Sequence, residues 1–248
     1  MPDPQLYAKT AQSDARVLSH LAVRRFVGLL GLALPALLYA HARIENAMQS
    51  SISDFYHTAM GDVLVGILCA IGVFLISYKG YPLQKGERLS DRWVSTLAGL
   101  GAIGVALFPV PPEDAVCGAG HVAGSGMTFH WCQAEFLHYL SAGVFFVCLA
   151  IFALVLFPKG HRRPDGRPDW GVRENRIYLI CGLAIVLSVL ALLVFLALRL
   201  SGAAVANALM AVNYVFWWET VGVVAFGLCW LVKGQGLAQL HPVRSKGR

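Results

Sequence analysis

The chain has 248 residues, of which 57% are hydrophobic and only 14% charged, and its mean hydropathy is +0.61. These values exclude an ordinary soluble domain, in which charged residues make up about a quarter of the total. A formal net charge of +6 would suit a nucleic-acid partner if the basic residues formed one polar stripe; they lie instead between apolar runs, so membrane lipids are the expected partners and nucleic acid is not.

About 20 apolar residues, each rising ~1.5 Å, are needed to cross a ~30 Å hydrocarbon core. Six runs meet or approach that length: 26–42, 60–78, 93–108, 137–157, 177–198 and 209–232. They predict an all-α, polytopic bundle of six transmembrane helices over 26–232, with a segment 1–25 before it and a basic tail 233–248 after it. Lys and Arg concentrate in the N-terminal segment, the second loop, the fourth loop and the tail, leaving Arg43 and Arg199 for the other side. Cytoplasmic loops retain positive charge, so both termini are expected inside, in a bacterial inner membrane.

The first run contains Pro35, which predicts a kink. It ends in Ala40-His41-Ala42, a pattern that imitates a leader-cleavage site; the long basic stretch before it favours an uncleaved span. Ahead of the second run, Ser51 to Thr58 is polar, and a helical reading puts Asp54, Thr58 and Asp62 on one face at four-residue spacing. Ser53 or Asp54 is also a candidate cap for that second helix. In the third run, Gly99-Leu100-Gly101-Ala102-Ile103-Gly104 matches a dinucleotide fingerprint letter by letter but lacks the preceding strand. With Ala98, Ala102 and Ala106 it predicts a seam of small residues against a neighbouring helix.

The third loop carries Cys117, His121, His130 and Cys132. A Cys117–Cys132 disulfide is expected on the outer side, contributing about 3 kcal/mol by closing the loop; a zinc site built from the four residues is the rival. The turn-rich loop 158–176 reads as a solvated connector. Three ionisable residues then fall within or beside apolar runs: Asp62 at the start of the second helix, His138 at the start of the fourth, and Glu219 after Trp217 and Trp218 in the sixth. A charge at mid-bilayer costs about 2.5–3.5 kcal/mol on insertion scales, so each asks for a partner or a task. Asp54 and Asp62 serve equally well as helix N-terminal groups or partners of Arg43, and His138 as an interfacial residue bonded to a carbonyl. For Glu219 the candidate partners are Asn213, Asp62 and His138.

The element Ser51-Ile52-Ser53-Asp54-Phe55-Tyr56 resembles the Ser-Ile-Ser-x-x-Tyr element that precedes the second helix in a group of uncharacterised bacterial six-helix membrane proteins. Gly101 to Phe108, followed by His138 and Phe145-Phe146, is similar to the third and fourth helices of the Frag1/DRAM/Sfk1 group and related DUF998-type proteins. These resemblances imply a six-helix fold and a place in lipid-related membrane biology, and they bring no catalytic residues with them. Ser53-x-x-x-His57 is similar to an element of the alkaline ceramidase and adiponectin-receptor type hydrolases, though the seven-helix core and late His-x-x-x-His of those families are absent.

The expected function is therefore an outward-facing polar pocket for a lipid or small amphiphile, built from Ser53, Asp54, His57, Asp62, His138, Asn213 and Glu219. In an enzymatic version His57, Asp62 and His138 hold a divalent metal such as zinc that activates water. A proton-coupled carrier using Glu219 and Asp62, and a non-catalytic membrane scaffold, are the alternatives.

Overall fold

A computed structural model describes the backbone of residues 4–80, 83, 88–111 and 131–234, with the side chains of all these except 4–20 and 131–133. Seven α-helices are present among them: α1 (Pro4–Glu45), α2 (Gly61–Ser77), α3 (Asp91–Leu107), α4 (Trp131–Ile151), α5 (Arg173–Leu200), α6 (Ala204–Ala211) and α7 (Tyr214–Lys233). The six longer helices close a ring in the order α1, α2, α3, α4, α5, α7 and back to α1.

Four stretches are long and apolar enough to cross a membrane: Leu21–Glu45 in α1, Ala134–Gly160, Arg173–Leu200 and Tyr214–Lys233. This corrects the six crossings expected from hydropathy. The helices α2 and α3 have 17 residues each, and at ~1.5 Å per residue they reach about 25 Å, short of the ~30 Å core. The apolar run counted as the sixth crossing is also broken, because Asn213 sits at φ 53° between α6 and α7. An all-α, multi-pass membrane protein remains, with the short helices α2 and α3 forming part of its ring. The expected disulfide is not found among the described residues, where Cys69, Cys148, Cys181 and Cys229 are free. Cys117, His121, His130 and the side chain of Cys132 lie outside those residues, as does 235–248 of the basic tail.

Helix ends explain how the chain is steered. At the end of α1, Asn46 takes φ 51° and Ala47 N donates to Ala42 O at 3.1 Å, a left-handed stop that satisfies an otherwise orphaned carbonyl. The end of α5 repeats the device. Gly202 stands at φ 68°, while Ala203 N reaches Leu198 O and Gly202 N reaches Arg199 O, both at 3.1 Å. Helix α1 continues without a break through Pro35.

Between α1 and α2 the chain lies across one end of the ring as a plug, residues 47–60, containing a 3-10 turn at Ser53–His57. Phe55 is fully buried, its ring 6.0 Å from that of Phe216 and tilted 50° to it; Ser50 O accepts from Phe216 N at 2.9 Å. The helix expected to align Asp54, Thr58 and Asp62 does not form, because Thr58 is extended at φ −113°, ψ 177°. Nor do Ser53 and Asp54 cap α2, whose N-cap is Met60. Irregular backbone of this kind is tolerated in a membrane protein where it is buried in protein or lines a cavity.

The small-residue seam on α3 serves two neighbours. A Cβ on Gly72 would stand 2.8 Å from Gly99 O, and one on Gly101 would stand 2.9 Å from Ser141 O. Backbones of α2, α3 and α4 therefore touch directly, which larger residues would forbid.

The opposite end of the ring carries the basic residues. Its core is aromatic: Phe152, Phe157, Phe226 and Trp230 are each at most 1% exposed, with Phe152 and Trp230 ring centroids 5.4 Å apart. Helix α4 passes there into a π turn at Phe152–Leu156 and a 3-10 turn at Phe157–Gly160. The following loop is more ordered than a solvated connector, since Asn175 Nδ2 donates to both His161 O and Asp169 O at 2.9 Å.

Candidate functional site

Beneath the plug lies a cavity of about 180 Å³. Ser50, Ser51, Ser53 and Asp54 line it from the plug, His138 and Tyr139 from α4, and Glu219 from α7. The lining also has an apolar part, formed by Phe146 on α4 and Val189, Leu192 and Leu196 on α5. Arg199, exposed near the end of α5, is also on the lining.

The polar groups are held by bonds within the plug, and between it, α4, α7 and the residue that follows α3. Glu219 Oε2 accepts from Ile52 N at 2.6 Å, a carboxylate capturing a backbone donor that the irregular plug would otherwise leave unpaired. Asp54 Oδ2 accepts from Ser50 Oγ at 2.5 Å, and Asp54 N donates to Ser51 Oγ at 3.0 Å. His138, 3% exposed, has Nδ1 2.7 Å from Phe108 O and Nε2 3.0 Å from Ser53 Oγ. A carbonyl only accepts, so Nδ1 carries the hydrogen. In the neutral ring Nε2 is then the acceptor, and Ser53 donates to it.

Of the sequence-derived candidates, Ser53, Asp54, His138 and Glu219 meet at the cavity. His57, Asp62 and Asn213 are not on its lining. His57 is exposed, with Nε2 2.7 Å from Val110 O; Asp62 is exposed at the start of α2; Asn213 supplies the left-handed residue before α7. The metal set His57, Asp62 and His138 does not assemble, and no other group of three His, Cys, Asp or Glu side chains suited to a metal occurs among the described residues. The partner of Glu219 is a backbone amide of the plug, which the candidates Asn213, Asp62 and His138 did not include.

Sequence reasoning missed Ser50, Tyr139, Arg199 and the apolar part of the lining. Arg199 carried a signal, as one of two basic residues outside the cytoplasmic segments. The leucines carried none, because cavity-facing and lipid-facing positions of α5 are equally apolar. Comparison with protein families, curated proteins and solved structures found no match for this chain.

Proposed function

We propose that this membrane protein binds a single-chain lipid or small amphiphile in the cavity under the plug, on the side that positive-inside counting assigns to the exterior of a bacterial inner membrane. The observation that carries this reading is the mixed lining of the cavity. Ser50, Ser53, Asp54, His138 and Glu219 offer hydrogen-bonding groups, and Phe146, Leu192 and Leu196 offer apolar surface. A ligand with a polar head and a hydrocarbon stem meets both kinds of surface, whereas a wholly polar solute leaves the apolar surface unmatched.

Photo-crosslinking tests this. A monoacylglycerol analogue with a diazirine in its chain, added to the full-length protein in nanodiscs, should label Phe146, Leu192 or Leu196, and excess unlabelled monoacylglycerol should remove that label. Labelling confined to outward residues such as Leu187 and Leu190, and indifferent to competitor, would show only bulk lipid contact and overturn the reading.

A further inference from the structure

We infer that Ser53 and His138 are the nucleophile and general base of an acyl transfer to water, acting on an amphiphile joined to its head by an ester. The inference rests on the amphiphile-binding reading and goes beyond it, since binding needs no nucleophile. Three separate elements converge on one proton path: the plug supplies Ser53, α4 supplies His138, and Phe108, the residue that ends α3, supplies the carbonyl that fixes the imidazole. With Nδ1–H held by Phe108 O, the Nε2 lone pair is directed at the Ser53 hydroxyl, the arrangement a serine needs to become nucleophilic near neutral pH. Both side chains line the cavity and are nearly buried, at 8% and 3% exposure, so a bound ester meets them away from bulk water.

The chemistry closes on these two residues. Ser53 Oγ adds to the ester carbonyl carbon as its proton passes to His138 Nε2. The ester C–O bond then breaks, and Nε2–H gives its proton to the departing alkoxide, which leaves as an alcohol. Water next adds to the acyl carbon of the acyl-serine, losing a proton to Nε2; the Ser53 C–O bond breaks and Oγ recovers that proton. One ester and one water become one carboxylic acid and one alcohol, with no oxidant or reductant required. Arg199 is the cationic side chain on the described lining, available to negative charge that develops on the substrate oxygen.

The test uses the full chain in nanodiscs and a long-chain alkyl fluorophosphonate bearing a fluorophore. Peptide mass mapping of the wild type should find the label on Ser53, with labelling lost in Ser53→Ala. His138→Gln, which keeps a side chain able to hydrogen-bond, should lower the labelling rate by about a hundredfold, the smaller end of general-base contributions. The wild-type mapping stands even if a variant fails to fold. Wild-type protein that takes the diazirine probe at Leu192 or Leu196 but carries no fluorophosphonate on Ser53 would overturn the nucleophile and leave the binding reading intact. Failure of both probes at the cavity would remove both proposals.

Discussion

The two ends of the ring handle buried polar groups in different ways. At the basic end, charged side chains are embedded in packed aromatic surface: Lys233 Nζ donates to Phe157 O at 3.0 Å and lies 5.5 Å from the Phe157 ring centroid. Arg24 reaches Tyr78 Oη at 3.1 Å, Arg25 reaches Gly234 O at 2.8 Å, and Lys159 stands 3.6 Å from Asp91. At the plugged end polar atoms surround a cavity of about 180 Å³ instead. Aromatic side chains fill the space around the charges at the first end, whereas short serines leave volume open at the second. Buried charge alone does not mark a site in this protein; buried polarity beside unfilled volume does.

The sharpest way to break that comparison is to remove Asp91, 2% exposed and paired with Lys159. Asp91→Ala should cost about 3–5 kcal/mol, because it leaves the largely buried Lys159 ammonium uncompensated. Unfolding in mixed micelles would measure it, with ligand affinity per folded molecule unchanged. A loss under 1 kcal/mol would show that the basic end is wetter than its packing implies.

Gly101→Val comes next. Its Cβ would crowd Ser141 O at 2.9 Å, and forced separation of α3 from α4 should cost about 1–3 kcal/mol. As Phe108 and His138 sit on these same two helices, the strain should also slow fluorophosphonate labelling, which a distant destabilising change would not do.

At the plug, Glu219→Ala removes the acceptor of Ile52 N–H and should cost about 1–3 kcal/mol, whereas Glu219→Gln keeps an acceptor oxygen and should cost less than about half of that. Equal losses from the two variants, read by the same unfolding assay, would mean that charge and not the amide bond holds the plug down.

The smallest stability effect belongs to Gly143, on the cavity lining, where a Cβ meets nothing within 4 Å. Gly143→Leu should gain up to about 1 kcal/mol by relieving a helix-interior glycine. It should at the same time weaken monoacylglycerol binding at least tenfold by filling the cavity. Unchanged affinity would place the ligand elsewhere. A change that stabilises the protein while abolishing binding separates the two ends most cleanly, since no substitution at the packed end should do both.

Hydropathy exposed the helices but overstated their reach. The runs 60–78 and 93–108 are apolar enough to suggest crossings, yet the regular helices stop at 17 residues each, where Tyr78 and Phe108 leave helical geometry. The break at Asn213 left little trace, since a single asparagine in an apolar run is compatible with a continuous helix. His138 and Glu219 stood out because polar groups are expensive in such surroundings; Asp62 drew attention for the same reason and proved to be exposed. Ser53 and Asp54 came from the polar stretch ahead of the second run, as did His57, which is also exposed.

Composition and the spacing of apolar runs sufficed to establish an all-α, multi-pass membrane protein, because the cost of placing polar residues in hydrocarbon is paid locally, residue by residue. Which polar groups meet was decided only by the tertiary structure. Ser53 and His138 are 85 residues apart, and Ile52 and Glu219 are 167 apart; their encounter depends on how the plug seats over the ring. The cavity itself is likewise a property of the packed helices, since it is volume that no side chain fills.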